Sequence, residues 1–439
     1  MQLEPLNSKP NPIVDQIKAE PESASEAMPS GGRRKPAIPL PHDDNPVGNE
    51  KLMDDFVRRL ETNKLIDEET VQFYEAHKNT LEAVERVLLN WREHDRQGRR
   101  SADSPNLQMY RAPVELFPNA TQSPFRLDNF MMLLGNQQPE VAEYLVRSCK
   151  EGFKLEMEQP RPSAVYPNPP AESEQAAAAL RTSVALDFEH SNPIRPEPKR
   201  KHGRPVANKF RRVYNLSKQT KGTMSVNSAI SQENCTLEYE TVQDLVDDVC
   251  ELYAEGVEEI GISSDDFENA YRIIPLHESC WGQLGFTIDG VEYVELFLCF
   301  GVSPGCRIFL CLSSTIRWLL KYTLQLRHVR SYIDDFANTA PANRAAISAR
   351  IMHLTFEILG TRTALDKRVV GASSTVFLGA GIDTVKRVLF MPAERQRNLL
   401  EDIEGWLQKD TVRLAHSAPS KPVRAHDARD KNGTARPSL

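Results

Sequence analysis

Two pairs of adjacent aspartates constrain this chain more than any other feature. Asp265 and Asp266 close the run "EEIGISSDDF", and Asp334 and Asp335 stand in "RSYIDDFANT". Each pair follows an apolar, β-branched stretch that reads as a strand, and the second stretch turns back at once, so that "HVRSYI" and "FAN" are the arms of a hairpin. Taken alone, that hairpin is an ordinary solvated turn, because Asp is a common turn former. Asp266 and Asp334 are 68 residues apart, a separation that a βαβ fold can close by bringing two strand ends together on one sheet. Carboxylates gathered in this way repel unless cations sit between them, and hard oxygen ligands select magnesium.

The segments around the two pairs supply such a sheet. "TVQDLVDDVCELYAEG" has helical periodicity and "VEEIGIS" reads as a strand. "CRIFLCLSSTIRWLLKYTLQL" reads as a long helix with Ile308, Phe309, Leu312, Ile316, Leu319 and Leu320 on one face. "NRAAISARIMHLTFEILG" is a helix closed by Gly360, and "VFLGAGID" and "RVLFM" are the strands that follow. Strands alternating with helices predict an α/β (α+β) fold, a split βαβ sheet backed by helices.

The 439 residues leave room for two or three domains, or for one large enzyme fold with extensions. Residues 1–48 are rich in Pro, Ser and acids without periodicity and read as a disordered leader. Residues 49–95 form a small helical unit, with Leu52, Phe56 and Leu60 in one stripe and Leu81, Val84, Leu88 and Trp91 in another. A polar linker over 96–116 leads to two helices in "RLDNFMMLLGNQQPEVAEYLVRSCKEGF", punctuated by Gly135 and by Pro139, which suits a first helical turn. Residues 411–439 read as a disordered tail.

The net charge of -7 hides a basic region: Arg195 to Lys221 holds ten Lys or Arg and a single acid, Glu197. Its expected partner is polyanionic. The seven cysteines are scattered without a CxxC pair, which reads as reduced thiols in an intracellular protein without structural zinc. The first residues lack an apolar core of signal-peptide length. "VELFLCFGVSPGCRIFLCL" is interrupted by Gly301, Pro304, Gly305 and Arg307, so no membrane span is expected there.

Five motifs carry a resemblance. "DDFENAYRIIPL", "LCFGVSPGCRIF", "YIDDF", "ALDKR" and "FLGAGID" stand in the order and approximate spacing of the palm motifs of reverse transcriptases, and "NKFRRVYNLSKQTKGTMSVNSAI" resembles their fingers segment. "QQPEVAEYLVRSCKEGF", "ESCWGQLGF" and "FLGAGIDTVKRVLFMPAERQ" are most similar to the DIRS-like tyrosine-recombinase retrotransposons. The resemblance covers residues 117–406 and implies a right-hand polymerase fold, with fingers over about 195–257, palm over about 258–392 and a partial thumb over about 393–410. It implies an RNA-directed DNA polymerase that extends a primer on an RNA or DNA template with deoxynucleoside triphosphates, alongside other retroelement proteins. The alternative is a degenerate or host-adopted relative that binds nucleic acid without polymerising.

By the same resemblance, Asp266 and Asp334 are the principal ligands of two magnesium ions, for which manganese can substitute, with Asp335 beside them. Asp265 is the rival for the upstream position; the spacing to Ala270 and Tyr271 favours Asp266, and Asp265 is expected to be replaceable. Tyr271 matches the aromatic gate that excludes a ribose 2′-hydroxyl, with core packing as its plainer role. Lys209 and Arg211, with Arg212, match the cations on the incoming triphosphate, a task suited to the bidentate guanidinium. Phe300 and Gly301 match the template contact, and Lys367 a lysine near the pyrophosphate. Lys199, Arg200 and Lys201 resemble a nuclear import signal, which gives a nuclear or cytoplasmic expectation; the same charges could track a template backbone. Two departures stand out: Pro304-Gly305-Cys306 replaces the usual Ser-Ala-Pro, and Asn269 replaces the usual acid or serine.

Overall fold

The computed structural model describes residues 37–42, 49–100, 125–157, 178, 196–201, 204–212, 214–217, 224–268, 270–288 and 291–408. The leader expected over 1–48 lies outside them apart from residues 37–42, as do residues 101–116 of the linker, Asn269 and the tail over 411–439. The chain divides into two units, Met1–Phe390 and Met391–Leu439.

A four-stranded antiparallel sheet, in the order β6-β7-β3-β8, organises the first unit. Its strands are β3 (Ile260–Asp266), β6 (Val329–Tyr332), β7 (Asp335–Pro341) and β8 (Val369–Ala372). Since β7 is antiparallel to both neighbours, β3 and β6 run parallel with β7 between them, which is the split βαβ arrangement. The crossover from β3 to β6 carries α8 (Gly305–Trp318), and that from β7 to β8 carries α9 (Ala342–Leu359). Gly360, at φ 80°, closes α9. On the other side lies α6 (Val242–Ala254), started by a capping box in which Thr241 and Asp244 satisfy each other's backbone.

Strand alternation sends Ile260, Ile262 and Ala337 towards α6, with Leu245, Val249 and Leu252. Phe336 points the other way, into an aromatic cluster with Phe267 at 5.1 Å and Phe356 at 5.0 Å. Gly261 also lies on the α9 side, where an added Cβ would come within 2.8 Å of Ala345, so glycine lets helix and sheet approach closely.

The helices α1 (Asn49–Thr62), α2 (Glu68–Ala76) and α3 (Leu81–Arg100) do not keep a core of their own. Leu52, Phe56, Leu60, Val84, Leu88 and Trp91 are buried in one continuous cluster with Phe336 and Phe356. The next helices are α4 (Leu127–Leu134) and α5 (Pro139–Glu151), with Pro139 in the first turn of α5. The hairpin β1 (Pro196–Lys201) and β2 (Arg204–Arg212) follows. Before α8 come the short helix α7 (Glu278–Trp281) and the hairpin of β4 (Gly285–Ile288) and β5 (Val291–Val294).

Three local expectations are corrected. The helix α3 continues to Arg100, through residues read as linker, because Arg92 and Arg96 pair with Glu357 and Asp95 pairs with Arg126. The long helix after Gly305 ends at Trp318 and passes into a turn of π-helix over Leu319–Thr323. "VFLGAGID" is two strands, β9 (Ser374–Phe377) and β10 (Ala380–Asp383), reversed by Leu378 and Gly379 at φ 48° and 79°. A third strand, β11 (Val388–Phe390), completes that sheet. Among the described residues no helix is long and apolar enough to cross a membrane.

The second unit contains α10 (Ala393–Leu407). Its first turn is closed by the Gln396 amide, which donates to the Pro392 carbonyl at 3.0 Å. Leu399, Leu400 and Ile403 on this helix are exposed.

Candidate functional site

Register builds the site. Asp266, the last residue of β3, faces Asp335, the first of β7, and Asp335 also pairs with Tyr332 of β6. The connection from β6 to β7 is therefore the two residues Ile333 and Asp334, with the Asp334 carbonyl accepting from the Phe267 amide at 3.2 Å. Ile333 holds φ 55°, in the left-handed region that a β-branched residue rarely enters, and such strain persists only where the surroundings enforce it. Three of the expected carboxylates, Asp266, Asp334 and Asp335, thus meet at one end of one sheet.

The electrostatics are those of a site with too much negative charge. Asp335 is pushed up to about 7, first by burial and then by repulsion from Asp334 and Asp266, with Lys367 opposing. Lys367 forms an ion pair with Asp266, and that bond holds its ammonium above the ordinary lysine range. The loop before β8 that carries Lys367 is tied to β3 by backbone bonds from Ala364 N to Asp266 O and from Glu268 N to Arg362 O, both 2.8 Å.

Tyr271 follows in a 3₁₀ turn over Ala270–Ile273 and is buried. Its hydroxyl is 3.0 Å from Cys306 Sγ, and burial, reinforced by that contact, raises its pKa well beyond the usual phenol range. The ring lies 4.9 Å from that of Phe300. Phe300 is itself partly exposed, and Gly301 beside it has φ 101°. A Cβ on Gly301 would sit 2.1 Å from the Tyr214 carbonyl oxygen, so only glycine fits this close approach of two backbones. Lys209 and Arg211 are on β2, with Arg211 opposite Glu197 of β1. Their side chains, like those of Lys199, Arg200 and Lys201 on β1, lie outside the described residues.

Asp265 is not a second contender at the cluster. Alternation turns it to the α9 side of the sheet, where both its oxygens accept from Arg368 Nε at 3.2 and 3.1 Å. Its partner Arg368 is the neighbour of Lys367 in "ALDKR", and matching two adjacent bases to two adjacent acids is the sequence signal that could have exposed the pair. Arg92, His353 and Arg368 also line a cleft of about 380 Å³ whose lining includes none of the three clustered carboxylates. A further group with ligand atoms, Asp248, Glu251 and His328, lies elsewhere. There Asp248 already accepts from Arg330 at 2.7 and 2.6 Å and Glu251 pairs with Arg327, so its negative charge is balanced by protein cations.

No protein-family model matches the chain, and no curated protein matches it. Among solved structures it is similar to the foamy viral protease-reverse transcriptase in complex with double-stranded DNA, at 14% identity over 68% of this chain and 50% of that one, with a TM-score of 0.39. The foamy viral protein in complex with an RNA/DNA hybrid matches at 13% identity over 69% of this chain and 40% of that one, with a TM-score of 0.39. Telomerase from Candida albicans, in complex with a fragment of telomeric RNA, matches at 12% identity over 37% of this chain and 35% of that one, with a TM-score of 0.28. The chain spans between 28% and 60% of the length of the first three foamy viral chains it matches.

Proposed function

We propose that this chain is the RNA-directed DNA polymerase of a DIRS-like retrotransposon, extending a primer on an RNA or DNA template by nucleotidyl transfer from deoxynucleoside triphosphates. The observation that carries it is the register that sets Asp266 opposite Asp335 with Asp334 in the adjoining turn. An oxygen-only donor set, crowded enough to hold Asp335 up to about 7, suits a hard divalent cation. Two magnesium ions held by Asp266, Asp334 and Asp335 would supply the positive charge that favours the primer's 3′-oxygen as nucleophile and the pyrophosphate as leaving group.

The remaining roles belong to the protein's own side chains. Tyr271 closes the floor beneath the sugar, where its bulk excludes a 2′-hydroxyl. Phe300 and Gly301 meet the templating nucleotide, both being exposed. Lys209 and Arg211 hold the triphosphate. Lys367 donates a proton near the leaving group, a role that its ion pair with Asp266 supports. The ordered palm and fingers motifs support the same assignment and its retroelement setting.

Primer extension by purified protein with magnesium tests the proposal. Asp266→Ala and Asp334→Ala should each lower the extension rate by a factor on the order of 10³ or more, since each removes charge stabilisation worth several kcal/mol. Template–primer affinity should be retained. Undiminished extension by Asp334→Ala would remove the catalytic assignment.

A further inference from the structure

Two successive acids at the end of β3 are held by two successive bases from opposite faces of the sheet. Asp266 takes Lys367 on the side where the carboxylates cluster, and Asp265 takes Arg368 on the side of α9. The Asp265 side chain is 1% exposed and that of Arg368 22%, whereas that of Lys367 is 62% exposed, so the Asp265–Arg368 pair is largely enclosed and the Asp266–Lys367 pair is open to solvent. Arg368 is further held by Thr363 Oγ1 at 2.8 Å and by His353 of α9. Asp265 lies 3.9 Å from the same imidazole. A half-buried guanidinium with a carboxylate, a hydroxyl and an imidazole around it has little freedom, and removing it leaves the buried Asp265 carboxylate uncompensated.

We propose that Asp265 and Arg368 are a positioning pair: their ion pair, made on the buried Asp265 carboxylate, fixes residues 361–368 against the end of β3 and so keeps Lys367 at Asp266. This rests on the nucleotidyl-transfer function proposed above, and it gives Asp265 a role where the sequence had made it replaceable. The geometry is that of an anchor and a working arm one residue apart. Backbone bonds from Ala364 to Asp266 and from Glu268 to Arg362 secure the start of the loop, whereas Arg368 secures its end. Lys367 sits between the two fastenings. With the far fastening cut, its long flexible side chain is no longer aimed at one carboxylate.

The test has one arm that needs no activity and one that does. In hydrogen–deuterium exchange on the full chain, Asp265→Asn and Arg368→Met should each speed exchange of the amides of residues 364–368, leaving those of α8 unchanged; unchanged exchange at 364–368 would overturn the anchor. In steady-state primer extension, the same variants should lower kcat about tenfold while KM for the nucleotide stays within about twofold. Arg368→Lys, which keeps the charge, should recover a large part of the loss and serves where the Met variant folds poorly. In a Lys367→Ala background, Asp265→Asn should remove little more, because both changes strike one device. A second loss that adds in full would overturn action through Lys367. If the unaltered protein extends no primer, the polymerase function fails, and the exchange arm still decides whether the anchor exists.

Discussion

The ring of Tyr271 is fixed on three sides, by Phe300 at 4.9 Å, by Phe309 at 5.5 Å and by the Cys306 thiol, 3.0 Å from its hydroxyl. Core packing and a gate under the sugar were the two roles open to it from the sequence, and the burial makes the first of them real. The two roles have separable consequences. Truncation to Val removes most of a buried aromatic side chain and should destabilise the fold by about 2–4 kcal/mol, measurable as a shift in the urea midpoint. If Tyr271 is also the gate, the same variant should raise the ratio of ribonucleotide to deoxynucleotide incorporation. Lost stability with an unchanged ratio would leave core packing as its whole role. Cys306 is one of the residues at which the sequence departs from the motifs it resembles, and its thiol can share a proton with the phenol. This departure therefore adds a contact to the Tyr271 hydroxyl.

Among the elements, α6 is joined to the sheet by charge as well as by its apolar face. Asp248 on α6 accepts from Arg330 Nε at 2.7 Å and Nη2 at 2.6 Å and from His328 at 3.2 Å, and Glu240 takes the remaining Arg330 nitrogen at 2.9 Å. Arg330 is on β6, the strand that delivers Asp334. Burial works to raise the Asp248 carboxyl, but Arg330 and His328 outweigh it and hold it below the ordinary range. A depressed folded pKa contributes stability above the unfolded value, near pH ~3.9, and that contribution is lost as pH falls through the folded value. Asp248→Asn should therefore be less stable at pH 7 by about 3 kcal/mol and should lose less than the unaltered protein on going from pH 5 to pH 2, read from urea midpoints across that range. Parallel curves would show that Asp248 is not the titrating contact. The strength of this link also explains what the sequence could and could not reveal. Apolar periodicity located α8, α9 and both hairpin arms, because burial repeats at the period of the element. The last turns of α3 escaped it: their partner Glu357 is 265 residues from Arg92, and a charge pair leaves no periodic trace. The turn inside "VFLGAGID" was hidden because an apolar residue, Leu378, takes the positive φ that Gly or Asn would have advertised. The three clustered carboxylates were legible as local motifs, whereas the pairing of Asp265 with Arg368, 103 residues away, left only the faint signal of two adjacent acids and two adjacent bases.

On the scale of the whole molecule, the N-terminal helices belong to the fold that presents the carboxylates. Phe56 and Trp91 are fully buried with their rings 5.4 Å apart, and Arg350 of α9 reaches Glu85 of α3. The same helix α9 packs on β3 and β7, so residues 49–100 support the sheet from behind rather than forming an appendage. The basic stretch from Arg195 to Lys221 is different in kind, a dense set of like charges in a protein of net charge -7. Its two arms are paired, with Lys201 opposite Arg204 and Arg211 opposite Glu197, so the segment that resembles an import signal and the one that matches the triphosphate cations share one hairpin. Two proposed functions thus compete for the same charges. Neutralising Arg211 and Arg212 should weaken nucleotide use, and if each contacts a phosphate it should lower the salt slope of template binding by about 2. Neutralising Lys199, Arg200 and Lys201 should instead change where a tagged protein accumulates in the cell, leaving the slope near its original value. Binding measured across a range of salt concentrations, together with imaging of the tagged variants, separates the outcomes. If the Lys199–Lys201 variant stays in its original compartment and loses template affinity, the import role is wrong and the whole hairpin is one nucleic-acid surface.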